Sequence, residues 1–116
     1  MTAFANNEKL TTIAKSANVT TLINIFTVEP ENQQRLVDIF VEAGHMMSKR
    51  AGFISANIHK SLDGTRVINY VQWRSKEDFE AISNSPETMV HIDEIKKLAK
   101  GNTSFYEVCA VCEAKL

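Results

Sequence analysis

The sequence predicts an α+β domain in which a four-stranded antiparallel sheet is covered by helices on one face. Four segments are β-branched or aromatic and of strand length, and the stretches between them carry apolar residues at helical spacing. An Asp-Gly pair, a strong hairpin signal, joins the second and third strands. With 116 residues and 44% hydrophobic content, the chain is long enough for one domain that buries a core without disulfides or a structural metal.

The first part of the chain predicts an arm, a strand and a helix. Residues 1–20 mix polar residues with isolated apolar ones, so we expect an N-terminal arm of low order, followed by a domain over residues 21–113. The β-branched and aromatic run over residues 22–28 predicts strand one. Pro30 suits the first position of a helix, and apolar residues at helical spacing extend helix one to about Lys49.

The remaining elements complete a ferredoxin-like order. Residues 53–62 and 66–73 predict strands two and three, which form an antiparallel pair. Ser75 and Ser85 are expected to cap two helices, and Gly101 to end the second of them. Residues 103–112 predict the last strand, which gives the βαββαβ arrangement of ferredoxin-like domains.

The hairpin loop decides which side chains share a face. A two-residue turn at Asp63-Gly64 places Ile54 opposite Trp73 and His59 on the reverse side. A three-residue loop would bring His59 to the same face as Asn69 and Trp73. We favour the two-residue turn because it separates an apolar face from a polar one.

Strand three carries an asparagine among apolar residues. Val67, Asn69, Val71 and Trp73 share one face, since strand side chains alternate. A buried amide costs free energy unless its hydrogen bonds are met, so Asn69 is either locked to neighbours or kept for a ligand. Trp73 has the same two interpretations, as a core aromatic whose N–H finds a carbonyl or as a ligand contact.

Both faces of strand three carry large apolar groups, whereas helices cover only one face of such a sheet. A monomer would expose Ile68 and Tyr70 as part of a large apolar surface. The sequence therefore predicts a homodimer in which a second copy covers this side.

Charge and composition exclude several classes of function. A formal net charge of −1 and a pI near 6.3 provide no basic field for a phosphate backbone, which argues against a nucleic-acid partner. No apolar run reaches the ~20 residues of a membrane span, and residues 1–20 lack the apolar core of a signal peptide. We therefore expect a cytoplasmic protein with no membrane partner.

The two cysteines spell C-A-V-C, a spacing found in redox and zinc sites. In the predicted last strand, Cys109 and Cys112 would point to opposite faces, and a zinc ion would need two further ligands close by. We expect buried or half-buried free thiols and no metal site.

The run L-D-G-T-R-V-I-N-Y-V-Q-W-R-S-K-E-D-F, preceded by G-F-I-S-A-N-I-H, resembles the antibiotic biosynthesis monooxygenase family of dimeric α+β barrels. The similarity covers about residues 21–111, and its most specific part is the asparagine followed four residues later by tryptophan and then a capped helix. Family members of the polyketide-tailoring type oxidise electron-rich aromatic substrates with O2 and no metal, flavin or haem. The resemblance implies a homodimer and no cofactor.

The resemblance maps the pocket asparagine and tryptophan of the family to Asn69 and Trp73, and its strand histidine to His59. The helix tyrosine of the family corresponds to Phe79, which has no hydroxyl, and its later arginine falls near His91, where no arginine exists. These departures imply that the substrate is not the same polyketide. Because Asn69 and Trp73 share one pocket-facing strand, the leading prediction is a cofactor-independent monooxygenase that oxidises a quinol or polycyclic phenol with O2.

His91, or His59 under the longer loop, is the candidate proton acceptor, because an unperturbed imidazole titrates near ~6.5. Together with Asn69 and Trp73, these histidines form the predicted catalytic set. The predicted substrate-binding residues are Asn24, Phe40, Ile54, Phe79 and Ile82.

Two alternatives stay open. One branch of the family degrades haem with an asparagine on strand one, a helix tryptophan and a helix histidine. Asn24 and, with a one-residue gap, His91 match that pattern, but Ile82 occupies the tryptophan position. The other alternative is a dimeric binding module that keeps the pocket without chemistry.

Overall fold

The computed structural model describes residues 10–115, which form a four-stranded antiparallel sheet with its helices on one face. The strand order is β2-β3-β1-β4, so the prediction of a ferredoxin-like βαββαβ fold is confirmed. The elements are β1 (Thr20–Val28), a 3-10 turn (Pro30–Asn32), α1 (Gln33–Met47), β2 (Phe53–Lys60), β3 (Arg66–Trp73), α2 (Lys76–Glu80), α3 (Pro86–Leu98) and β4 (Ala99–Tyr106).

The core lies between the sheet and the two longer helices. Leu36, Ile39 and Phe40 of α1 are buried because they recur at helical spacing and face the sheet. Val28 and Val67 of the two central strands pack against them. A second cluster, centred on Trp73, fills the opposite end of the same layer. Within residues 10–115, no helix is both long and apolar enough to cross a membrane.

The register of β2 and β3 is the one predicted for the shorter turn. Ile58 lies opposite Asn69, and His59 lies opposite Ile68 on the reverse side. The pairing of the two strands ends at Ser61 and Arg66, where the Ser61 N–H donates to the Arg66 carbonyl at 3.0 Å. The loop between them is longer than the predicted two residues. Residues 62–65 therefore form a four-residue loop.

The hairpin loop is held by Asp63. Its carboxylate accepts hydrogen bonds from Thr65 Oγ1, from Ser61 Oγ and from the Thr65 backbone N–H. These bonds, with the Thr65 side chain first, lower the pKa of Asp63 to about 2. The carboxylate thus stays charged over the physiological pH range and keeps the loop closed in one geometry.

The predicted pairing of Ile54 with Trp73 is wrong. A bulge between Phe53 and Ser55 shifts the register by one residue, so that Phe53 pairs with Trp73. Ile54 turns to the outside, where its side chain is 47% exposed. The sequence alone does not reveal this bulge, because Phe53 and Ile54 are both apolar residues with strand propensity.

The last strand begins and ends earlier than the predicted residues 103–112. It follows α3 directly, and Gly101 lies inside it rather than ending the helix. A Cβ on Gly101 would collide with the Ile25 carbonyl oxygen of the neighbouring strand. This close backbone approach, and not a helix stop, accounts for the glycine.

The prediction of buried thiols is also wrong. Cys109 and Cys112 lie beyond the end of β4, and both are exposed free cysteines. The error follows from the misplaced strand, since the burial of the cysteines was inferred from it. Among the residues described, no three His, Cys, Asp or Glu side chains are close enough to hold a metal ion.

The segment before β1 packs on the face of the sheet that the helices leave open. Gln72 is 3% exposed there, and its Nε2 donates to the Thr12 carbonyl at 2.8 Å. Thr11 Oγ1 donates to Asn57 Oδ1. Residues 10–19 thus rest on the β2–β3 side without forming a helix or strand, and the rest of the predicted arm lies outside the described residues.

Candidate active site

A cavity of about 130 Å³ lies between the sheet and the helices. The central strands β1 and β3 form its floor, while α1, α2 and α3 supply its walls. Its lining is mostly apolar. It includes six of the predicted site residues, namely Asn24, Phe40, Asn69, Trp73, Phe79 and His91.

Two buried polar atoms of this cavity, Asn69 Oδ1 and Trp73 Nε1, have no hydrogen-bond partner among the described residues. Asn69 is 6% exposed and Trp73 is fully buried. An unpaired buried group costs ~1–3 kcal/mol, so native proteins leave few of them. Among the described residues, no neighbour locks the side-chain oxygen of Asn69, which the first of its two interpretations requires. Together, the Asn69 oxygen and the Trp73 indole N–H are one unpaired acceptor and one unpaired donor.

The aromatic neighbours of Trp73 set the orientation of its indole. Phe53 meets it edge-on with ring centroids 5.3 Å apart, and Phe79 does so at 5.8 Å. Such edge-to-face pairs contribute ~0.5–1.5 kcal/mol beyond the area they bury. Because both rings hold the indole, its N–H is directed before any ligand enters.

Phe79 lies on the five-residue helix α2, which depends on its cap for stability. Ser75 Oγ accepts from the Asp78 N–H at 3.2 Å, as the sequence predicts. Arg74 donates twice to the Asp78 carboxylate, at 2.9 Å each. The bonds from Arg74 and then from Ser75 lower the pKa of Asp78, so the carboxylate stays ionised and the helix start stays fixed.

His91 of α3 is oriented by its own helix. Its Nδ1 lies 3.0 Å from the Glu87 carbonyl oxygen, and a carbonyl only accepts, so Nδ1 carries a hydrogen in this contact. The neutral imidazole then has its lone pair on Nε2, which is 4.0 Å from Glu42 Oε1. The side chain is 14% exposed. Nε2 of His91 thus faces the Glu42 carboxylate of α1.

Asn24 lies directly opposite Asn69 on the neighbouring strand. In contrast to Asn69, its side-chain oxygen is paired, because it accepts a hydrogen bond from Thr103 Oγ1 on β4. The three polar residues Thr103, Asn24 and Asn69 therefore form one row across the cavity floor. Only the last of them has an unpaired buried oxygen.

Three predicted site residues do not line the cavity. His59 is exposed on the reverse face, where its Nδ1 lies 3.0 Å from the Asn57 carbonyl oxygen. Ile54 is turned outward by the bulge. Ile82 is partly buried behind the Trp73 cluster and contributes to packing only.

Several lining residues escaped the sequence analysis as site residues, among them Gly44, Met47, Phe53, Thr88 and Thr103. Helical spacing from Phe40 leads to Gly44 four residues later, so that signal was available. The sequence does not show that Phe53 lines the cavity, because its position depends on the bulge. The position of Thr103 on the cavity floor depends on where β4 begins, which the sequence analysis placed wrongly.

The profile of the antibiotic biosynthesis monooxygenase family matches residues 20–92 of this chain. A relative, tetracenomycin-F1 monooxygenase from Streptomyces glaucescens, is 38% identical over 100 residues, which cover 85% of this chain and 89% of the relative. The chain therefore belongs to the antibiotic biosynthesis monooxygenase family, as its sequence motif suggested.

Solved structures share the fold at much lower identity. SnoaB, a cofactor-independent oxygenase from Streptomyces nogalater, superposes with a TM-score of 0.72 at 17% identity, over 82% of this chain and 97% of that protein. A conserved protein from Methanosarcina mazei Go1 gives a TM-score of 0.69 at 12% identity, over 77% of this chain and 91% of that protein. These similarities show a common fold.

If Asn69 serves a ligand, removing its amide should stabilise the empty protein. We predict that Asn69→Val raises the free energy of unfolding in urea by ~1 kcal/mol, because valine leaves no unpaired buried carbonyl and suits a strand. Asn57→Val is the matched control. Asn57 donates to the Tyr70 carbonyl at 3.0 Å and to Ser55 Oγ at 3.0 Å, so its loss should destabilise. Equal destabilisation by both variants would show that Asn69 is structural.

Proposed function

We propose that this protein is a cofactor-independent monooxygenase that oxidises a quinol or polycyclic phenol with O2. The observation that carries the proposal is the pair of unpaired atoms, Asn69 Oδ1 and Trp73 Nε1, in residues that line a mostly apolar cavity. The names of two similar proteins support it. One is a tetracenomycin-F1 monooxygenase, and the other is described as a cofactor-independent oxygenase.

The reaction needs the substrate as its own reductant. A phenol that gains one oxygen atom from O2 becomes a quinone, and the second oxygen atom leaves as water with the two hydrogens that the substrate loses. The first step is removal of the phenolic proton, since the phenolate transfers an electron to O2 far more readily than the phenol does. His91 Nε2 is the proposed acceptor of that proton.

The unpaired atoms act on the charge that develops afterwards. In the proposed complex, the Trp73 indole N–H donates to the oxyanion of the substrate, and Asn69 Oδ1 accepts from the O–H of the substrate-bound peroxide. Because both groups are held in position before the reaction, they need no reorganisation in the transition state. The mostly apolar lining lowers the local polarity around both groups, which strengthens both interactions.

Oxygen uptake by the purified protein tests this function. With a panel of hydroquinones and anthrones, we expect uptake above the uncatalysed rate. Loss of one preorganised group typically lowers kcat ~10²–10³-fold, so Asn69→Ala and Trp73→Phe should fall in that range. His91→Gln should also be slow. His59→Gln is the matched control, since that histidine lies outside the cavity and should keep full activity.

The same experiment separates enzyme from binding module. A module without chemistry would show a ligand-dependent rise in melting temperature but no oxygen uptake. Unchanged uptake in Asn69→Ala and Trp73→Phe would also refute the proposed roles. The haem-degrading alternative is disfavoured because Ile82, which occupies the tryptophan position, does not line the cavity, although Asn24 and His91 do.

We also propose that the protein is a homodimer in which the open face of each sheet meets the partner. Ile23, Ile25, Ile68 and Tyr70 lie on this face, and Ile25 is 37% exposed. Residues 10–19 form hydrogen bonds with the β2–β3 side of it, to Asn57 and Gln72. A twofold interface would remove the remaining apolar side chains from water in both copies.

Light scattering at micromolar concentration tests the dimer. We expect twice the chain mass of 13.0 kDa for the natural sequence and a monomer for Tyr70→Asp, because a buried carboxylate at the interface is costly. Leu62→Asp, in the exposed hairpin loop, should remain dimeric. A monomer of the natural sequence, or a dimer that survives Tyr70→Asp, would contradict the proposed interface.

A further inference from the structure

We propose that the substrate of this site is an extended aromatic acid, whose reacting ring lies in the cavity and whose anionic group lies beside Lys96 and Lys100. This inference rests on the proposed function and narrows the class of phenol that the site accepts. It follows from the size of the cavity, from the groove that continues it, and from the distribution of charge along both.

The cavity holds about one aromatic ring. Its volume of about 130 Å³ is close to that of an engineered apolar cavity of ~150 Å³ that binds benzene. A polycyclic phenol with its reacting ring at Asn69 and Trp73 must therefore extend beyond the cavity.

A groove between α3 and β4 provides the space for the rest of the molecule. It measures about 520 Å³ and shares five lining residues with the cavity, so the two spaces adjoin. The shared residues are Asn24, Phe40, Ile92, Ile95 and Thr103. Beyond them the groove is lined by Phe26 and Ala99, whose apolar surfaces suit further aromatic rings.

The charge along this path is one-sided. Lys96 and Lys100 line the groove, and within residues 10–115 neither makes an ion pair. Of the described residues that line the cavity and the groove, none is Asp or Glu. A ligand with its ring at Trp73 and an anionic substituent at its far end would meet both ammonium groups, which otherwise have no partner.

The expected gain in affinity for an anionic ligand is modest because both lysines are exposed. A solvent-exposed ion pair contributes ~0–1 kcal/mol, so two of them favour a carboxylate over a neutral group by roughly thirtyfold at most at low ionic strength. Salt should weaken this preference, since the charges are screened over about 10 Å at 0.1 M. A neutral substituent should show no such dependence.

Fluorescence of Trp73 provides a direct assay. It is the only tryptophan of the chain and lines the cavity. Anthraquinone-2-carboxylate and its neutral carboxamide should both quench it, with the acid binding several-fold more tightly at low salt. Lys96→Gln and Lys100→Gln should each weaken binding of the acid about threefold and leave binding of the amide unchanged. Lys97→Gln is the control, because Lys97 carries the same charge but does not line the groove.

Equal affinity for acid and amide would overturn the inference, and so would absence of quenching by both. An effect of Lys97→Gln as large as that of Lys96→Gln would also overturn it, because it would indicate a general field rather than a site. The titration does not depend on turnover. Tighter binding of the acid, combined with no oxygen uptake from the panel of hydroquinones and anthrones, would support this inference and refute the proposed function. Oxygen uptake from that panel, combined with equal binding of acid and amide, would refute the inference alone.

Discussion

The structure depends on one costly arrangement, a central strand that carries an amide and an indole into an apolar layer and leaves both unpaired. Asn69 Oδ1 and Trp73 Nε1 are buried between the sheet and the helices, where no protein group among the described residues hydrogen-bonds to them. Each such group costs ~1–3 kcal/mol. A fold that tolerates this cost must stabilise β3 by other means, and it does so on all sides.

β3 is held by β1 along one edge and by β2 along the other. Val67 and Val71 anchor its helix-facing side in the two core clusters. On the reverse side Gln72 accepts from Ser55 Oγ at 2.8 Å and donates to the segment before β1. The site residues are thus set by a rigid strand rather than by a loop, which suits a site whose proposed chemistry relies on preorganised hydrogen bonds.

The sequence predicted the features that depend on local periodicity. Asn69 and Trp73 share a face because strand side chains alternate, and His59 lies on the reverse side because the loop register is local to the hairpin. Features that depend on contacts between distant segments were missed. The bulge that brings Phe53 to Trp73, and the backbone approach that requires Gly101 in β4, are set by neighbouring strands. The burial of Cys109 and Cys112 was predicted wrongly because the predicted last strand extended beyond the true end of β4.

The central claim is that the two unpaired atoms form hydrogen bonds with oxygen groups of the ligand, and the indole N–H reports directly on its own bond. Because the chain has a single tryptophan, its ¹⁵N–¹H spectrum contains one indole resonance. Titration with 1,4-naphthohydroquinone under nitrogen should move that resonance downfield in a saturable way, since a new hydrogen bond deshields the proton. An indole resonance that stays fixed while the backbone amides of the cavity shift would contradict the claim.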